Sequence, residues 1–294
     1  MYRGGIRHMK QIAILSGKGG TGKTTVTACF ASLSNNAVFA DCDVDASNLH
    51  LLLNPQIEKT IDFKGLKLAV VDQDRCTRCG LCEEKCRFNA ISEFEVDPIK
   101  CEGCGVCVKV CPSEAIDFIE RICGQAYISW TIYGPMSHAR LRPGMGNSGM
   151  LVSLVRQNAK NLAEEGGKDL VIVDGPPGIG CPVIASLSEI NVCILVVEAT
   201  LSGIHDLKRA LILLEHFKVK PLVCINKFDL NHENTENIEV FCAVNSIDVL
   251  GIIPFDPNVT KAMVVGIPVV DYAPQSPASE AINLIWKKLN SILT

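Results

Sequence analysis

The chain has 294 residues, enough for one large domain and a small one. Its hydrophobic share of 48% calls for a well-buried α/β core and excludes a disordered or fibrous chain. A formal charge of −4 argues against nucleic acid or acidic lipid as general partners.

Residues 1–8 precede a second methionine, Met9, and read as a start-site extension or an expression remnant without function. The apolar run Gln11–Leu15 predicts a buried parallel strand. A Gly-rich turn follows, then a helix over Lys23–Leu33 and a second strand over Ala37–Ala40 that runs into Asp41-Cys-Asp-Val-Asp45. From about Val70 to Ile119 the chain becomes dense in cysteine and charge, which predicts an inserted module. Strand–helix alternation then resumes. Strands are expected at Ala126–Ile132, Leu170–Asp174, Cys193–Val197, Pro221–Ile225 and Val249–Ile253. Helices are expected at Ser148–Glu165, Gly203–His216, Thr235–Val244 and Ala278–Leu293. Such alternation implies a mostly parallel sheet with helices on both faces. No stretch is apolar for long enough to span a bilayer, and the N-terminus lacks an apolar signal core, so a cytoplasmic protein is expected.

Gly17-Lys-Gly-Gly-Thr-Gly-Lys-Thr24 matches G-x4-G-K-[ST] between a strand and a helix, the context the motif requires. Backbone N–H groups of Gly17, Lys18, Gly19, Gly20, Thr21 and Gly22 can close around phosphate oxygens at a helix N-terminus. Lys23 would neutralise the β- and γ-phosphates, Thr24 would ligate Mg²⁺, and Thr25 would reach the α-phosphate. Asp174, closing the strand Leu170–Asp174 ahead of Gly175-Pro-Pro-Gly178, looks like a Walker B carboxylate in the Mg²⁺ shell. Asp41 and Asp45 are weaker candidates, one of them a cap for the next helix. Asn226-Lys227-Phe-Asp229 fits the guanine-reading N-K-x-D motif, so the base stays open between adenine and guanine here.

Fifteen cysteines are the main anomaly. Cys76-x2-Cys79-x2-Cys82-x3-Cys86 and Cys101-x2-Cys104-x2-Cys107-x3-Cys111 are an internal repeat with bacterial ferredoxin spacing. In such modules the last cysteine of each run serves the other cluster. Cys76, Cys79, Cys82 and Cys111 are therefore assigned to one 4Fe-4S cluster, and Cys101, Cys104, Cys107 and Cys86 to a second. The first run ends Cys86-Arg87, whereas the second ends Cys111-Pro112. Zinc is the alternative, but a third cysteine three positions on is wasted on a tetrahedral ion. Cys29, Cys42, Cys123, Cys181, Cys193, Cys224 and Cys242 remain. Most of these read as buried small hydrophobes, and Cys181, just past the Gly-Pro-Pro-Gly turn, is the one with a possible sensing or ligating role.

Lys18 after the first glycine, together with Asp43, Asp174 and Gly175–Gly178, resembles the deviant Walker A class of MinD, ParA and the nitrogenase iron protein. With the cysteine repeat, nearly the whole chain resembles MinD-superfamily ATPases that carry an inserted ferredoxin domain. The resemblance implies a discontinuous P-loop ATPase domain at 9–69 and 120–294 and a small α+β ferredoxin-like insert at 70–119. It also implies an ATP-dependent homodimer in which Lys18 reaches the partner's nucleotide. Asp43 would orient or activate the attacking water, and Asn226 with Lys227 would read adenine beside a loop holding Pro254 and Asp256. ATP or ADP, Mg²⁺ and two 4Fe-4S clusters are the implied cofactors. Where the nitrogenase iron protein holds a cluster-ligating cysteine, this chain has Asn147, so redox work would fall to the insert. The end Trp286–Thr294 lacks the basic amphipathic helix by which MinD binds membranes. The implied function is ATP hydrolysis coupled to electron transfer toward a redox or metallocofactor protein. Iron–sulfur assembly or carriage, and a MinD/ParA-like switch with structural or sensory clusters, are the alternatives.

Overall fold

The computed structural model describes residues 9–293, so the extension at 1–8 lies outside the described residues. The elements in chain order begin with β1 (Lys10–Leu15), α1 (Lys23–Leu33), β2 (Ala37–Asp41), α2 (Leu49–Leu53) and β3 (Gln56–Val71). The cysteine-rich segment holds α3 (Leu81–Glu84), β4 (Ile91–Ser92), β5 (Glu95–Val96) and α4 (Val106–Val110). The chain returns through β6 (Ile116–Thr131), β7 (Gly134–Leu141), α5 (Ser148–Glu165), β8 (Leu170–Asp174), α6 (Cys181–Ser186), β9 (Val192–Glu198) and α7 (Leu201–His216). It closes with β10 (Lys220–Asn226), α8 (His232–Val244), β11 (Asp248–Ile253), α9 (Pro257–Val265), α10 (Val269–Tyr272) and α11 (Pro277–Leu293).

The main sheet has nine strands in the order β11-β10-β9-β1-β8-β2-β7-β6-β3. The pairs from β11 through β7 are parallel, and β7–β6 and β6–β3 are antiparallel. The parallel strands are buried on both faces, which is why β1 and β8 read as unbroken apolar runs. One core layer packs the sheet against α5, α7 and α8, around Leu151, Val155, Leu207 and Ile238. The other packs it against α1 and α11, around Phe30, Phe39, Ile282 and Trp286. Phe30 and Trp286 meet with ring centroids 5.0 Å apart.

Helix starts differ from the sequence-based expectation where a cap extends them. Asn231 accepts a hydrogen bond from the Asn234 N–H at 2.8 Å, which opens α8 at His232 instead of Thr235. Thr200 accepts from the Gly203 N–H at 3.0 Å and opens α7 at Leu201. Larger differences lie at the antiparallel edge. The strand expected at Ala126–Ile132 is Ile116–Thr131, and it pairs along its length with Gln56–Val71, for which no strand was expected. Both strands run 16 residues, and β3 is exposed along most of them, so neither shows the apolar run that betrays a buried strand. Tyr133–Arg140, expected as linker, is largely the buried strand β7.

The β3–β6 ribbon leaves the sheet and carries the cysteine-rich segment at its tip, where the last registered pair is Val71 with Ile116. A small separate core of Ala69, Cys82, Ile91 and Ile116 sits there. Because Val71 and Ile116 already face each other, a two-residue Asn-Gly turn joining them would close a hairpin in place of the segment between them. The expected product folds cooperatively, with a melting midpoint within about 5 °C of the parent's. Circular dichroism melting of the two proteins checks this; loss of a cooperative transition would show that the body needs its tip.

Candidate functional site

The phosphate loop is held from two sides. Gly22, which precedes α1, has φ of 93°, a left-handed conformation that favours glycine. A methyl group there would stand 2.3 Å from Asn226 Nδ2. That amide, at the end of β10, donates to the Thr21 carbonyl at 2.7 Å and ties the loop to the neighbouring strand. On the other side, a methyl on Gly17 would lie 2.1 Å from Asp206 Cβ of α7. At these two positions the loop has no room for a side chain.

Asp174 closes β8, registers with Asp41 on β2 and Ile14 on β1, and is fully buried. Its Oδ1 lies 2.9 Å from Lys23 Nζ, and its Oδ2 accepts from Thr24 Oγ1 at 2.8 Å. Thr27 Oγ1 donates to the same carboxylate at 2.8 Å. Burial works against the charge on Lys23, but the adjacent Asp174 carboxylate prevails and raises its pKa. Thr27 escaped the sequence reading. Its signal is helical spacing, since it lies one turn beyond Lys23 on the same face of α1.

Asp41 is fully buried, and burial, reinforced by Asp174, pushes its carboxyl up to about 7. It accepts from Ser47 Oγ at 2.6 Å, from the Leu49 N–H at 3.2 Å and from the Asp43 N–H at 3.1 Å. Asp41 thereby pins the 43–49 loop and caps α2, while Asp43 lines the cleft above the phosphate loop. Lys18 bends back onto its own chain, with Nζ 3.3 Å from Glu198 Oε2 and 3.3 Å from Ser202 Oγ. Lys227 Nζ takes the other oxygen of Glu198 at 2.6 Å.

The cleft over the phosphate loop measures about 580 Å³ and is open to solvent. Thr24, Thr25, Asp43, Asn226 and Lys227 line it, with Phe255, Val259 and Met263 as an apolar wall. Pro254 and Asp256, expected at the base, are not on this lining. Asp256 instead caps α9, accepting from the Asn258 N–H at 2.8 Å and the Ala278 N–H at 3.2 Å. Phe255 stands in the cleft in their place, and its N–H donates to Asp229 at 2.7 Å.

At the ribbon tip, one small cavity is lined by Cys76, Cys79, Cys82 and Cys111. A second is lined by Cys101, Cys104, Cys107 and Cys86. Each quartet takes three cysteines from one run and the last from the other. The repeat is local as well: the Ala90 N–H donates to Cys86 Sγ at 3.4 Å and the Ala115 N–H to Cys111 Sγ at 3.3 Å. Among the described residues no three His, Cys, Asp or Glu side chains are gathered closely enough to hold a single metal ion, and no disulfide forms. Cys29, Cys42, Cys123, Cys193, Cys224 and Cys242 are buried, and Cys181 is exposed. Burial pushes the Cys29, Cys42 and Cys224 thiols up to about 12, as expected of inert core cysteines.

The second quartet adjoins the body. Arg121 donates to the Cys101 carbonyl at 2.8 Å, and a methyl on Gly144 would lie 3.3 Å from Ile99. Asn147 Nδ2, just before α5, donates to the Gly65 carbonyl of the ribbon at 2.9 Å. Gly149, in the first turn of α5, faces Cys181 at the start of α6, where a methyl would be 3.5 Å from Cys181 Cβ.

A glycine loop between β1 and α1, a lysine within it and an aspartate ending a neighbouring parallel strand define a P-loop nucleotide-binding fold. The family model described as the CobQ/CobB/MinD/ParA nucleotide binding domain matches residues 12–270, and the chain belongs to this family. It is 34% identical over 286 residues to the uncharacterized protein MJ0578 of Methanocaldococcus jannaschii, covering 96% of this chain and 97% of that one. It is 26% identical over 282 residues to the chloroplastic septum site-determining protein minD homolog of Arabidopsis thaliana, covering 92% and 71% of the two chains. Among solved structures, the septum site-determining protein MinD of Pyrococcus horikoshii, complexed with Mg-ADP, shares the fold with a TM-score of 0.61. That likeness covers 97% of this chain and 99% of the other at 19% identity.

Two substitutions test the geometry. Gly22→Ala pushes Asn226 off Thr21 and should weaken nucleotide binding about tenfold or more, the equivalent of one well-made hydrogen bond. Titration with a fluorescent ATP analogue checks it. Lys23→Ala leaves a fully buried carboxylate without its cation and should cost roughly 3–5 kcal/mol of stability, offset in part by Thr24 and Thr27. Urea unfolding of Lys23→Ala beside the Lys23→Ala/Asp174→Asn pair checks that, the double variant recovering most of the loss.

Proposed function

We propose that this chain is an ATPase whose nucleotide cycle controls two 4Fe-4S clusters in an inserted module at 70–119, carried by a discontinuous body at 9–69 and 120–294. The observation that carries it is the pair of cysteine quartets, each lining its own cavity and each completed by the other run. Quartets built from C-x2-C-x2-C runs suit the corners of a cuboidal cluster better than one zinc ion, on which the third cysteine of a run is wasted. Cys76, Cys79, Cys82 and Cys111 would hold one cluster, and Cys101, Cys104, Cys107 and Cys86 the other. When bound, such clusters supply one-electron storage at low potential.

At the nucleotide site, the N–H groups of Gly17 to Thr24 receive the phosphates, and Lys23 turns from Asp174 toward the β- and γ-oxygens. Thr24 and Asp174 are then the groups that would hold Mg²⁺. Asp43 faces the same cleft and would position the attacking water, while Thr25 meets the α-phosphate. Asn226 and the apolar wall of Phe255, Val259 and Met263 receive the base, read as adenine. Lys18 leaves Glu198 for the nucleotide of a second copy, which makes the active form a homodimer and frees both Glu198 and Ser202 for the interface.

Coupling would run from the Gly175–Gly178 turn through α6, the Cys181–Gly149 contact and the 144–147 loop to the second quartet. The partner that fits is a redox or metallocofactor protein. Among the described residues no helix is long and apolar enough to cross a membrane. One observation favours the carrier reading as a second possibility: Cys79 and Cys104, one in each quartet, are exposed, so each cluster would have an open edge.

Protein reconstituted without oxygen should contain about eight iron atoms per chain, and Cys111→Ser should reduce this to about four while sparing the quartet built on Cys101. Iron and acid-labile sulfide assays with EPR check it; loss of both clusters together, or zinc in their place, would count against the assignment. Replacing ADP by a non-hydrolysable ATP analogue should shift a cluster potential by roughly 60 mV, tenfold in a one-electron equilibrium. Lys23→Ala should abolish the shift. Identical potentials in both nucleotides would sink the redox coupling, and transfer of labelled cluster iron to an apo-acceptor would select the carrier reading.

A further inference from the structure

A second cleft lies beside the nucleotide site, on the face of the sheet where β7, β6 and β3 meet the 45–50 segment. It measures about 370 Å³ and is open to solvent, at the lower end of the size range of small-molecule sites. Ser47, His50, Ile57, Tyr127, His138 and Arg140 line it. His138 and Arg140 are two apart on β7 and point to one face, and Tyr127 is the cross-strand partner of His138. The Tyr127 and His138 rings lie 5.0 Å apart, and Ser129 Oγ holds His138 Nε2 at 2.8 Å, leaving Nδ1 for a ligand.

Arg140 is exposed and pairs with no carboxylate among the described residues, Asp45 on the same lining included. Burial, and then the field of Arg140, lowers the pKa of His50; burial, and then His50, pushes His138 down to about 4. Both rings are therefore neutral at pH 7, and Arg140 is the cation that an anion would meet here. Asp45 is the acidic side chain on the lining, and it opposes a second negative charge. Ile57 and the Tyr127 ring offer an apolar, planar surface beside the cation.

We infer that this cleft binds a small organic carboxylate, its anionic end on Arg140 and His50 and its apolar body on Tyr127 and Ile57. The inference does not depend on what the cysteine module carries. Ala46 and Asn48 line both this cleft and the nucleotide cleft, so the 43–49 loop pinned by Asp41 is the wall between them. A ligand on one side then changes affinity on the other, and the effect is reciprocal. The ligand is not an electron acceptor for its own chain. Tyr127 lies nine steps along β6 from Phe118 at the second cysteine cavity, roughly 30 Å of strand.

The test uses the full chain saturated with Mg-ADP, so that no anion can sit on the phosphate loop, and ¹⁹F NMR of 4-fluorobenzoate. Saturable binding near a millimolar is expected, as suits a fragment of this size. Arg140→Gln should weaken it about tenfold, because a charge-assisted contact is lost. Arg140 is exposed, so the variant folds, and Lys160→Gln on α5 should change nothing. No binding up to about 20 mM, equal binding of the neutral 4-fluorobenzamide, or indifference to Arg140→Gln would each overturn the site. Replacing ADP by a non-hydrolysable ATP analogue should change the Kd at least about threefold, and an unchanged Kd would overturn the coupling.

Discussion

The buried ion pair of Lys23 with Asp174 is the constraint around which this protein is arranged. A carboxylate at the end of a fully buried parallel strand survives only with partners, and α1 supplies three: Lys23, Thr24 and Thr27. Those partners require α1 to start directly under the end of β8, and the glycine loop is the only connection short and bare enough to bring it there. The groups that would serve a nucleotide are thus held together beforehand by one another. A polyphosphate entering the loop exchanges an internal counter-charge for its own, with little rearrangement of the backbone.

Around that centre the loops are tied by single side chains. Asn226 fastens the phosphate loop to β10, and Asp41 fastens the 43–49 segment. Glu198 holds Lys18 and Lys227 together, so the lysine expected to cross between copies is stored within its own chain. Burial raises the Glu198 pKa, but the two ammonium groups outweigh it and hold the carboxyl below its usual range.

The antiparallel edge has a different character. β3 and β6 are long, largely exposed and held chiefly by each other, so they act as an arm and not as core. At their tip the cysteines replace an apolar interior: the small core there is only a few residues, and two cysteine-lined cavities occupy the rest. The tip's contact with the body through the 144–147 loop places the second quartet nearer the sheet than the first.

The parallel core was legible in the chain itself, because strands buried on both faces must be unbroken apolar runs. Leu170–Asp174 is found at its expected bounds for that reason, and the helix Ser148–Glu165 at its own because its buried residues recur at helical spacing. The phosphate loop and the cysteine repeat were equally legible, since spacing alone dictates what a tight turn can surround. The sequence could not reveal the ribbon, whose exposed strands carry no periodic apolar signal, nor β7, whose small and polar residues are buried only because neighbours cover them. Within the base-side loop it pointed to Asp256 and not to Phe255, because whether Asp256 faces a cleft or caps a helix depends on where α9 and α11 meet. Local spacing determines which groups can share a turn; only tertiary packing decides which distant groups share a cavity. The exchange of Cys86 and Cys111 between the runs could be read from spacing, whereas only the fold brought Arg140 beside His50.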